Sequence, residues 1–372
     1  MSKLTKYRFS DLYDMSSGIS SSKQQAGHGS PFVSFSTVFN NYFLPDDLPD
    51  LMDTSEKEQD IFSVKQGDIF ITRTSETVDE LAMSCVALKD YPKATFSGFT
   101  KRLRPKTSGI AYDKYMAFFL RSRYFRKVID CNTIMTLRAS FNEDMFSFLS
   151  LYLPSYEEQV KIGDLLYNIE RKIQCNNKMN DNLEQMAHTT YMHLFFGKKT
   201  NGKLEDILVE NPKSAIQVGE AKNTDGEYPF FTSGDAVLRW HEPLVDGRNC
   251  FLNTGGNADV KFYVGETAYS TDTWCISAKN DLPDYLYLLL KSIKPELNQK
   301  FFQGTGLKHL QKPLLKERPI YIPSEEEANA FNNSVHPWFS MISDNIRESQ
   351  RLTALRDWLL PMLMNGQATI SE

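Results

Sequence analysis

Three short stretches of this sequence carry residue types that could do phosphate or hydrolytic chemistry, and each lacks a neighbour that the chemistry needs. Gly197 to Lys203 has the GxxxxGK spacing of a phosphate-binding loop, but Leu204 stands where a Ser or Thr should follow. Glu220 and Lys222 have the Glu-x-Lys spacing of a nuclease site, with no Pro-Asp at a sensible distance before them. Residues 211–214 read Asn-Pro-Lys-Ser, which is not the Asn/Asp-Pro-Pro-aromatic tetrapeptide of an adenine methyltransferase. The sequence therefore predicts no catalytic centre.

Metal and disulfide chemistry is equally poorly supported. The six His show no metal-ligand spacing, and the five Cys are scattered without a CxxC pair: Cys85, Cys131, Cys175, Cys250 and Cys275. We expect no metal, no cofactor and a reducing cytoplasm. No apolar run approaches a membrane span, so no membrane partner is expected. The net charge of −5 argues mildly against a nucleic-acid binder that acts alone.

The most informative feature is a stretch that occurs twice. Residues 151–197 recur as residues 320–366, at a constant offset of 169 residues and without a gap. The offset superposes residues of the same type, among them Pro154 on Pro323, Ser155 on Ser324, Asn176 on Asn345, Leu183 on Leu352 and Gly197 on Gly366. Matches spread over so long a window indicate an internal duplication.

Each copy predicts a short strand followed by a long helix. The strand ends at a Pro, and the next Ser is a candidate N-cap with Glu at capping-box spacing. The helix then shows the 3-4 apolar spacing of a coiled-coil seam with a polar middle. The predicted seam residues are Ile162, Leu166, Ile169, Ile173, Asn176 and Leu183 in the first copy, and Phe331, Val335, Trp338, Ile342, Asn345 and Leu352 in the second.

We expect the two helices to pair with each other in antiparallel fashion, each about 55 Å long. Two unrelated amphipathic helices would explain neither the shared polar centre nor the shared offset. Asn176 and Asn345 should fix the register of the pair. Pro337 and Pro361 predict a kink or interruption in the second helix. Gly197 is expected to end the first helix and open a linker.

The segments between the helices read as globular domains of mixed composition. In the first, residues 31–35, 64–72, 85–88 and 95–103 are expected to be strands, residues 112–129 helical, and residues 44–60 a surface loop. The second follows the same plan, with a strand at residues 229–233. The predicted fold class is α+β: two mixed α/β globular domains joined by two long antiparallel helices, in a tandem pseudo-two-fold repeat. The predicted boundaries are 1–150, 151–199, 200–319 and 320–372.

The order of these parts resembles the specificity subunit of type I restriction-modification systems. The stretch LPSYEEQVKIGDLLYNIERKIQCNNKMNDNLEQMA is similar to that family's central conserved helix, and IPSEEE with LRDWLLPMLMNGQ to its C-terminal one. Ala328 departs from the pattern, since a Gln is expected there. The architecture matches over the whole chain, whereas the sequence matches closely only in the two helices.

The resemblance implies two target-recognition domains, each reading one half of a bipartite site in double-stranded DNA. It also implies partners: modification (methyltransferase) subunits, two in number, docked on the helices, and restriction subunits bound through the complex. The chain itself would be non-catalytic. A rod of about 55 Å matches roughly sixteen base pairs, so two half-sites about one helical turn apart are within reach. Partner subunits would supply much of the phosphate neutralisation that a net acidic chain lacks.

Under that interpretation, loop residues with cationic, amide or hydroxyl side chains are the candidates for DNA contact. In the first domain they are Lys23, Arg73, Thr74, Ser75, Lys101, Arg102, Arg104, Arg138 and Asn142. In the second they are Lys222, Arg239, His241, Asn253, Thr254, Lys261, Lys308 and His309.

A second interpretation belongs to a different class: a non-catalytic adaptor whose two globular domains bind proteins, with the coiled coil as a spacer. A DNA reader should show salt-dependent binding confined to a split sequence, and an adaptor should not.

Overall fold

The computed structural model describes residues 4–20, 22–75, 80–132, 139–224, 226–368 and 370, except the side chains of residues 75, 132 and 139. Arg138 lies outside the described residues. Internal contacts divide the chain into two compact units, Met1–Arg171 with Leu352–Glu372, and Lys172–Arg351. Helices (α) and strands (β) are numbered in chain order, and each unit is described by itself.

Unit 1 contains the first globular domain, whose strands form two main sheets and two short pairs. The four-stranded sheet has the order β2 Tyr13–Ser17, β9 Thr100–Pro105, β5 Ile69–Thr72, β7 Ser84–Val86, with all neighbours antiparallel. The three-stranded sheet has the order β4 Asp50–Met52, β3 Ala26–Val33, β8 Thr95–Phe96. The pairs are β1 Thr5–Arg8 with β11 Ser150–Leu153, and β6 Thr74–Ser75 with β10 Ala139–Ser140. Around them lie helices α1 Phe9–Leu12, α2 Phe35–Asn40, α3 Glu56–Ile61, α4 Asp113–Phe119, α5 Arg123–Asn132 and α6 Glu143–Phe148.

Unit 2 contains the second globular domain. Its four-stranded sheet has the order β13 Leu208–Glu210, β19 Thr273–Ala278, β16 Arg248–Asn253, β17 Val260–Val264. Its three-stranded sheet has the order β15 Val237–Trp240, β14 Tyr228–Phe231, β18 Ala268–Tyr269. The pairs are β12 Gly202–Lys203 with β22 Pro319–Ile320, and β20 Phe302–Gln303 with β21 His309–Leu310. The helices are α8 Leu204–Ile207, α9 Val218–Lys222, α10 Pro283–Ser292, α11 Lys294–Glu296 and α12 Lys312–Lys316, with a π-turn at Leu297–Phe301.

The two domains share one topology. In each, the first strand of the domain pairs with the strand before a long helix, and a short helix leads into the edge strand of the four-stranded sheet. The central strands align residue by residue: Phe70 lies opposite Arg102 as Phe251 lies opposite Cys275. The three-stranded sheets match as well, since β3 pairs with β8 in parallel as β14 pairs with β18. The duplication predicted from the helices therefore extends to the domain folds.

The two repeats form the long helices α7 Tyr156–Phe195 and α13 Glu325–Met364, each of 40 residues. Both ends of α13 lie at the 169-residue offset from the ends of α7. Gly197 and Gly366 follow the C-terminal residues with φ of +82° and +65°, a conformation that favours glycine after a helix end. After α13, the Gln367 N–H bonds to the Met362 carbonyl and the Gly366 N–H to the Leu363 carbonyl, which is the Schellman pattern.

The predicted interruption of the second helix at Pro337 and Pro361 is wrong. The helix runs through both residues. Each proline removes only one N–H from the backbone ladder, and Pro337 lies between the buried Val335 and Phe339, which are held in the core. Packing of the apolar face therefore outweighs the local preference.

The polar middle of the helices is hydrogen-bonded within unit 2. Asn176 is buried and donates to Glu348 Oε2 at 2.8 Å, and Asn345 donates to Asn180 Oδ1 at 2.8 Å. From Asn176 to Asn180 the residue number rises along α7, whereas the partner's number falls from Glu348 to Asn345 along α13. The two helices therefore run antiparallel there. In unit 1, Arg356 bonds to Glu170 at 2.7 Å in the same sense. The predicted seam residues are all buried or half-buried.

The predicted fold class, α+β with tandem repeats and two long antiparallel helices, is confirmed. Local strand bounds differ from prediction: β3 ends at Val33, and Ser34 caps α2 by accepting from the Thr37 N–H at 3.2 Å. Among the described residues, no helix combines the length and apolarity needed to cross a membrane.

Candidate nucleic-acid interface

In the first domain, the candidate interface lies where β5 ends and β9 begins. Arg73 follows β5, and its backbone is fixed on both sides: its N–H bonds to the Phe99 carbonyl at 2.9 Å, and its carbonyl accepts from the Phe141 N–H at 2.8 Å. Thr74 continues into β6, opposite Ser140. This rigid frame leaves the Arg73 side chain exposed.

Lys101, on β9, adds a second cation at this end of the sheet. Its ammonium group donates to Ser17 Oγ at 2.8 Å. Burial lowers the pKa of Lys101, and the positive charge of Arg73 lowers it further, while Glu143 opposes the shift. Arg73 and Lys101 are therefore close enough to repel each other, an arrangement that an anion such as a DNA phosphate would relieve.

The second domain presents polar groups at the matching end of its sheet. Thr254 follows β16 as Arg73 follows β5. The β20–β21 hairpin covers this end: the Leu310 N–H bonds to the Thr254 carbonyl at 3.0 Å, and the Gly256 N–H to the Lys308 carbonyl at 2.9 Å. Lys308 and His309 are exposed on that hairpin. Three of the predicted residues are thus brought together.

A lysine cluster beside Thr254 was missed by the sequence analysis. Lys312 lies over the ring of Trp274, 4.8 Å from its centroid, at the side of a cleft of about 380 Å³ that Thr254 and Lys213 also line. Burial lowers the pKa of Lys312, Glu210 opposes this, and the charges of Lys213 and Lys316 lower the pKa again. Lys213 and Lys312 line the cleft together with Glu210 and Asp272, and Lys316 pairs with Glu210 beside it. Its lysines come from separate segments, so no local pattern could have identified it.

Several predicted contact residues instead have partners inside their own domain. Arg104 forms a two-pronged ion pair with the buried Asp68, at 2.7 and 2.6 Å, which raises the pKa of Arg104. Arg102 is buried and donates to the Ser63 carbonyl at 2.6 Å. Asn142 caps α6 by accepting from the Met145 N–H at 2.9 Å.

Two more such residues lie in the second domain. The Asn253 side chain is buried and holds the β16–β17 turn through the Gly255 carbonyl and the Asp259 N–H, both at 2.7 Å. Lys261 donates to the carbonyl groups of Thr232 and Gly234. These side chains stabilise the fold of their own domains.

Four of the remaining predicted residues, Lys23, Lys222, Arg239 and His241, lie outside the four-stranded sheets and the β20–β21 hairpin. Lys23 and Lys222 are exposed at matching places, each in a short helical turn before the central strand of the three-stranded sheet. Arg239 is half-buried on β15, and its Nε has no hydrogen-bond partner in the part of the chain that the structure describes. His241 is exposed, and its ring lies 4.4 Å from the ring of Trp240. The backbone of Ser75 pairs with Ala139.

Each domain is tied to a long helix by buried polar contacts within its unit. In unit 1, Gln159 of α7 accepts from the Tyr112 N–H at 2.9 Å and donates to the Ile110 and Pro154 carbonyls. In unit 2, Arg248 pairs with the fully buried Asp284 and also donates to the His336 carbonyl of α13. These contacts hold the sheets, and with them the candidate interface, on their helices.

Comparison with known proteins identifies the class. The model of the type I restriction modification DNA specificity domain matches residues 1–185 and 198–331. The chain therefore belongs to this family and carries two copies of the domain, which confirms the resemblance and the DNA-recognition role predicted from the sequence. The protein-binding adaptor interpretation is not favoured.

Individual relatives agree with that assignment. The type I restriction enzyme MjaIX specificity subunit of Methanocaldococcus jannaschii is 23% identical over 332 residues, which cover 77% of this chain and 76% of the relative. The EcoDI specificity subunit of Escherichia coli is 21% identical over 153 residues, covering 40% and 34%. The crystal structure of the type I S subunit from M. genitalium superposes with a TM-score of 0.63 at 14% identity and covers 97% of this chain and 96% of that one. That likeness supports the shared fold.

Proposed function

We propose that each globular domain reads one half of a bipartite DNA site through the end of its four-stranded sheet. The observation that carries this proposal is the equivalence of the two domains. Their sheets have the same strand order, and each places cationic side chains at the same end: Arg73 and Lys101 in one, Lys308 and Lys312 in the other. A protein that reads two half-sites with two copies of one fold requires such an arrangement.

Within this interface, the residues divide into two roles. The buried Lys101 and the half-buried Lys312 are suited to phosphates, since they are held in place and sit beside other cations. The exposed Arg73 and His309 are suited to base edges in a groove. The Thr254 hydroxyl group donates to the Asp272 carbonyl at 3.0 Å, so its oxygen can still accept a hydrogen bond from a base. Phosphate contacts would set the register, and base contacts would select the sequence.

We further propose that the chain directs adenine methylation or restriction by partner subunits and has no chemistry of its own. The GxxxxGK stretch supports the latter, because Gly197 ends a helix instead of opening one. The long helices offer exposed apolar side chains for modification subunits, two in number, through which restriction subunits would join: Met179 and Met186 on α7, and Leu355 and Trp358 on α13. All five cysteines are free thiols, as suits the cytoplasm.

The experiment is to co-express the chain with its modification subunit and map methylated adenines in the host DNA. We expect methylation at one split motif. Arg73→Ala should relax one half of that motif, and the pair Lys308→Ala and His309→Ala should relax the other. Lys57→Ala, on an exposed helix of the first domain, is the matched control and should leave the motif unchanged. A stable complex that methylates no split motif would overturn the proposal.

A further inference from the structure

The two most exposed large apolar side chains among the described residues are Phe99, at 68% exposure, and Leu307, at 65%. Phe99 lies in the first domain and Leu307 in the second, and both occupy the sheet end described above. Single exposed apolar residues are common on protein surfaces. Here, however, the two most exposed large apolar side chains occupy equivalent sites in two duplicated domains, and this coincidence requires an explanation.

Phe99 is mounted on a tightly bonded turn. The Ser97 side chain accepts from the Phe99 N–H at 3.2 Å, and the Ser97 carbonyl accepts from the Thr100 hydroxyl group at 2.8 Å. The next residue back, Gly98, donates to the Ile19 carbonyl at 2.7 Å, and a Cβ at Gly98 would lie 2.8 Å from that oxygen. The turn is therefore fixed, and it holds the phenyl ring out of the core.

Leu307 is kept exposed by a different structural element, the β20–β21 hairpin. Gly304 has a φ of +148°, and a Cβ there would lie 2.6 Å from the Leu307 carbonyl, so the hairpin requires glycine at this place. The hydrogen bond between Gly256 and Lys308 fixes the base of the hairpin. Two unrelated loops thus present an apolar tip at the same end of the same fold.

The surroundings of both tips favour a nucleic acid over a protein as the partner. Phe99 is flanked by Arg73 and Lys101, and Leu307 by Lys308 and His309, so each tip adjoins polar or cationic side chains of the kind that a nucleic acid contacts. Cations would hold the phosphates while the apolar tip reaches between them. Phe and Leu are among the side chains that contact thymine methyl groups or open base steps in DNA.

We propose that Phe99 and Leu307 each make the apolar base contact of their half-site and so determine part of its sequence. This rests on the proposed function, in which each domain reads one half-site. Because hydrogen bonds already hold the Phe99 turn and one end of the Leu307 hairpin loop, the contact requires little further ordering, and it depends on the shape of the side chain.

The test compares methylation by complexes that contain Phe99→Ala, Leu307→Ala or a control. Phe148→Ala and Leu244→Ala are the matched controls, since these side chains are 55% and 44% exposed in the same two domains. Loss of a buried apolar contact should reduce discrimination against near-cognate sites by roughly tenfold to a hundredfold. Phe99→Ala should relax the half-site that Arg73→Ala relaxes, and Leu307→Ala the other; the controls should relax neither.

A second measurement separates the two kinds of base contact. Replacing each thymine of the half-site in turn by uracil removes one methyl group. If the apolar side chain contacts that methyl group, the wild-type complex should lose affinity at that one position. The Ala variant should bind the thymine and uracil sites equally well there. Enhanced fluorescence of 2-aminopurine at one step would instead indicate an opened base step. A wild-type complex without a split motif overturns the proposed function. A split motif that both Ala variants read with unchanged discrimination overturns the present inference alone.

Discussion

Replacement of Arg248 by Met should destabilise the second domain strongly, and the loss should depend on pH. The Arg248 guanidinium holds both oxygens of the Asp284 carboxylate at 2.7 Å, and the Asp284 side chain is fully buried. Removing one partner of a buried ion pair costs about 3–5 kcal/mol, because the remaining charge is left uncompensated. We therefore expect a loss of about 3 kcal/mol at neutral pH.

The pH dependence follows from the carboxyl group. Burial raises the pKa of Asp284, and the hydrogen bond and charge of Arg248 oppose that rise. Without Arg248 the pKa should rise further above its unfolded value of 3.8. A raised carboxyl pKa costs stability when the group is ionised in the unfolded chain, and this cost disappears as the pH falls below the unfolded pKa. The difference between Arg248→Met and wild type should therefore shrink steadily between about pH 7 and pH 4.

The assay is urea denaturation followed by tryptophan fluorescence, since Trp240, Trp274 and Trp338 all lie in unit 2. Lys294→Met is the control: it removes the exposed pair with Asp259 and should cost less than about 1 kcal/mol. The double variant Arg248→Met with Asp284→Leu should recover part of the loss, because no buried charge remains. A loss for Arg248→Met below about 1 kcal/mol, or one that is equal at both pH values, would refute the reasoning.

Three further changes test other parts of the structure. Lys312→Gln should lower the slope of log affinity against log salt by about 0.9, as expected for one phosphate contact, whereas Lys300→Gln, at an exposed pair with Glu296, should leave it unchanged in filter-binding titrations. Asn176→Ala should cost about 1–3 kcal/mol in thermal unfolding, because it removes the buried amide that bonds to α13; an unchanged melting temperature would contradict the register role. Glu327 has its pKa lowered to about 2 by Lys198, Tyr321 and the Ser324 N–H, so its contribution is present above its unfolded pKa of 4.5 and lost as the pH falls towards 2. Glu327→Gln should accordingly lower the melting temperature slightly at neutral pH and not at pH 2, and an equal effect at both would argue against this link.

The sequence predicted the helical scaffold well because its signals are local and repeated. The apolar spacing, the serine caps and the terminal glycines all occur twice at one offset, and each corresponds to a feature of the helices. The capping box of the second copy is present: the Ser324 N–H bonds to Glu327 Oε2 at 2.9 Å, and the Glu327 N–H to Ser324 Oγ at 3.3 Å. The predicted interruption at the two prolines was wrong, since the local cost of a proline is smaller than the gain from packing the apolar face of a 40-residue helix.

In the globular domains, local signals such as helix caps were either overlooked or too weak to predict the structure. Residues 44–60 were expected to be a loop, yet Ser55 and Glu58 form a capping box that starts α3, a pattern visible in the sequence. The candidate site residues were harder to predict, because residue type does not separate an arginine with an exposed side chain from one that pairs with a buried aspartate. Arg73 and Arg104 differ only in what the fold places beside them.

The pairing of β1 with β11, and of β12 with β22, has a consequence for how such a chain can change over time. In each domain the polypeptide enters and leaves through two hydrogen-bonded neighbours, and the second neighbour leads directly into a long helix. Loops within a domain can therefore lengthen, shorten or be exchanged wholesale while the entry and exit points stay together. The helix that follows keeps its starting residue and its register, so recognition loops can change in sequence and length while the helical scaffold stays the same.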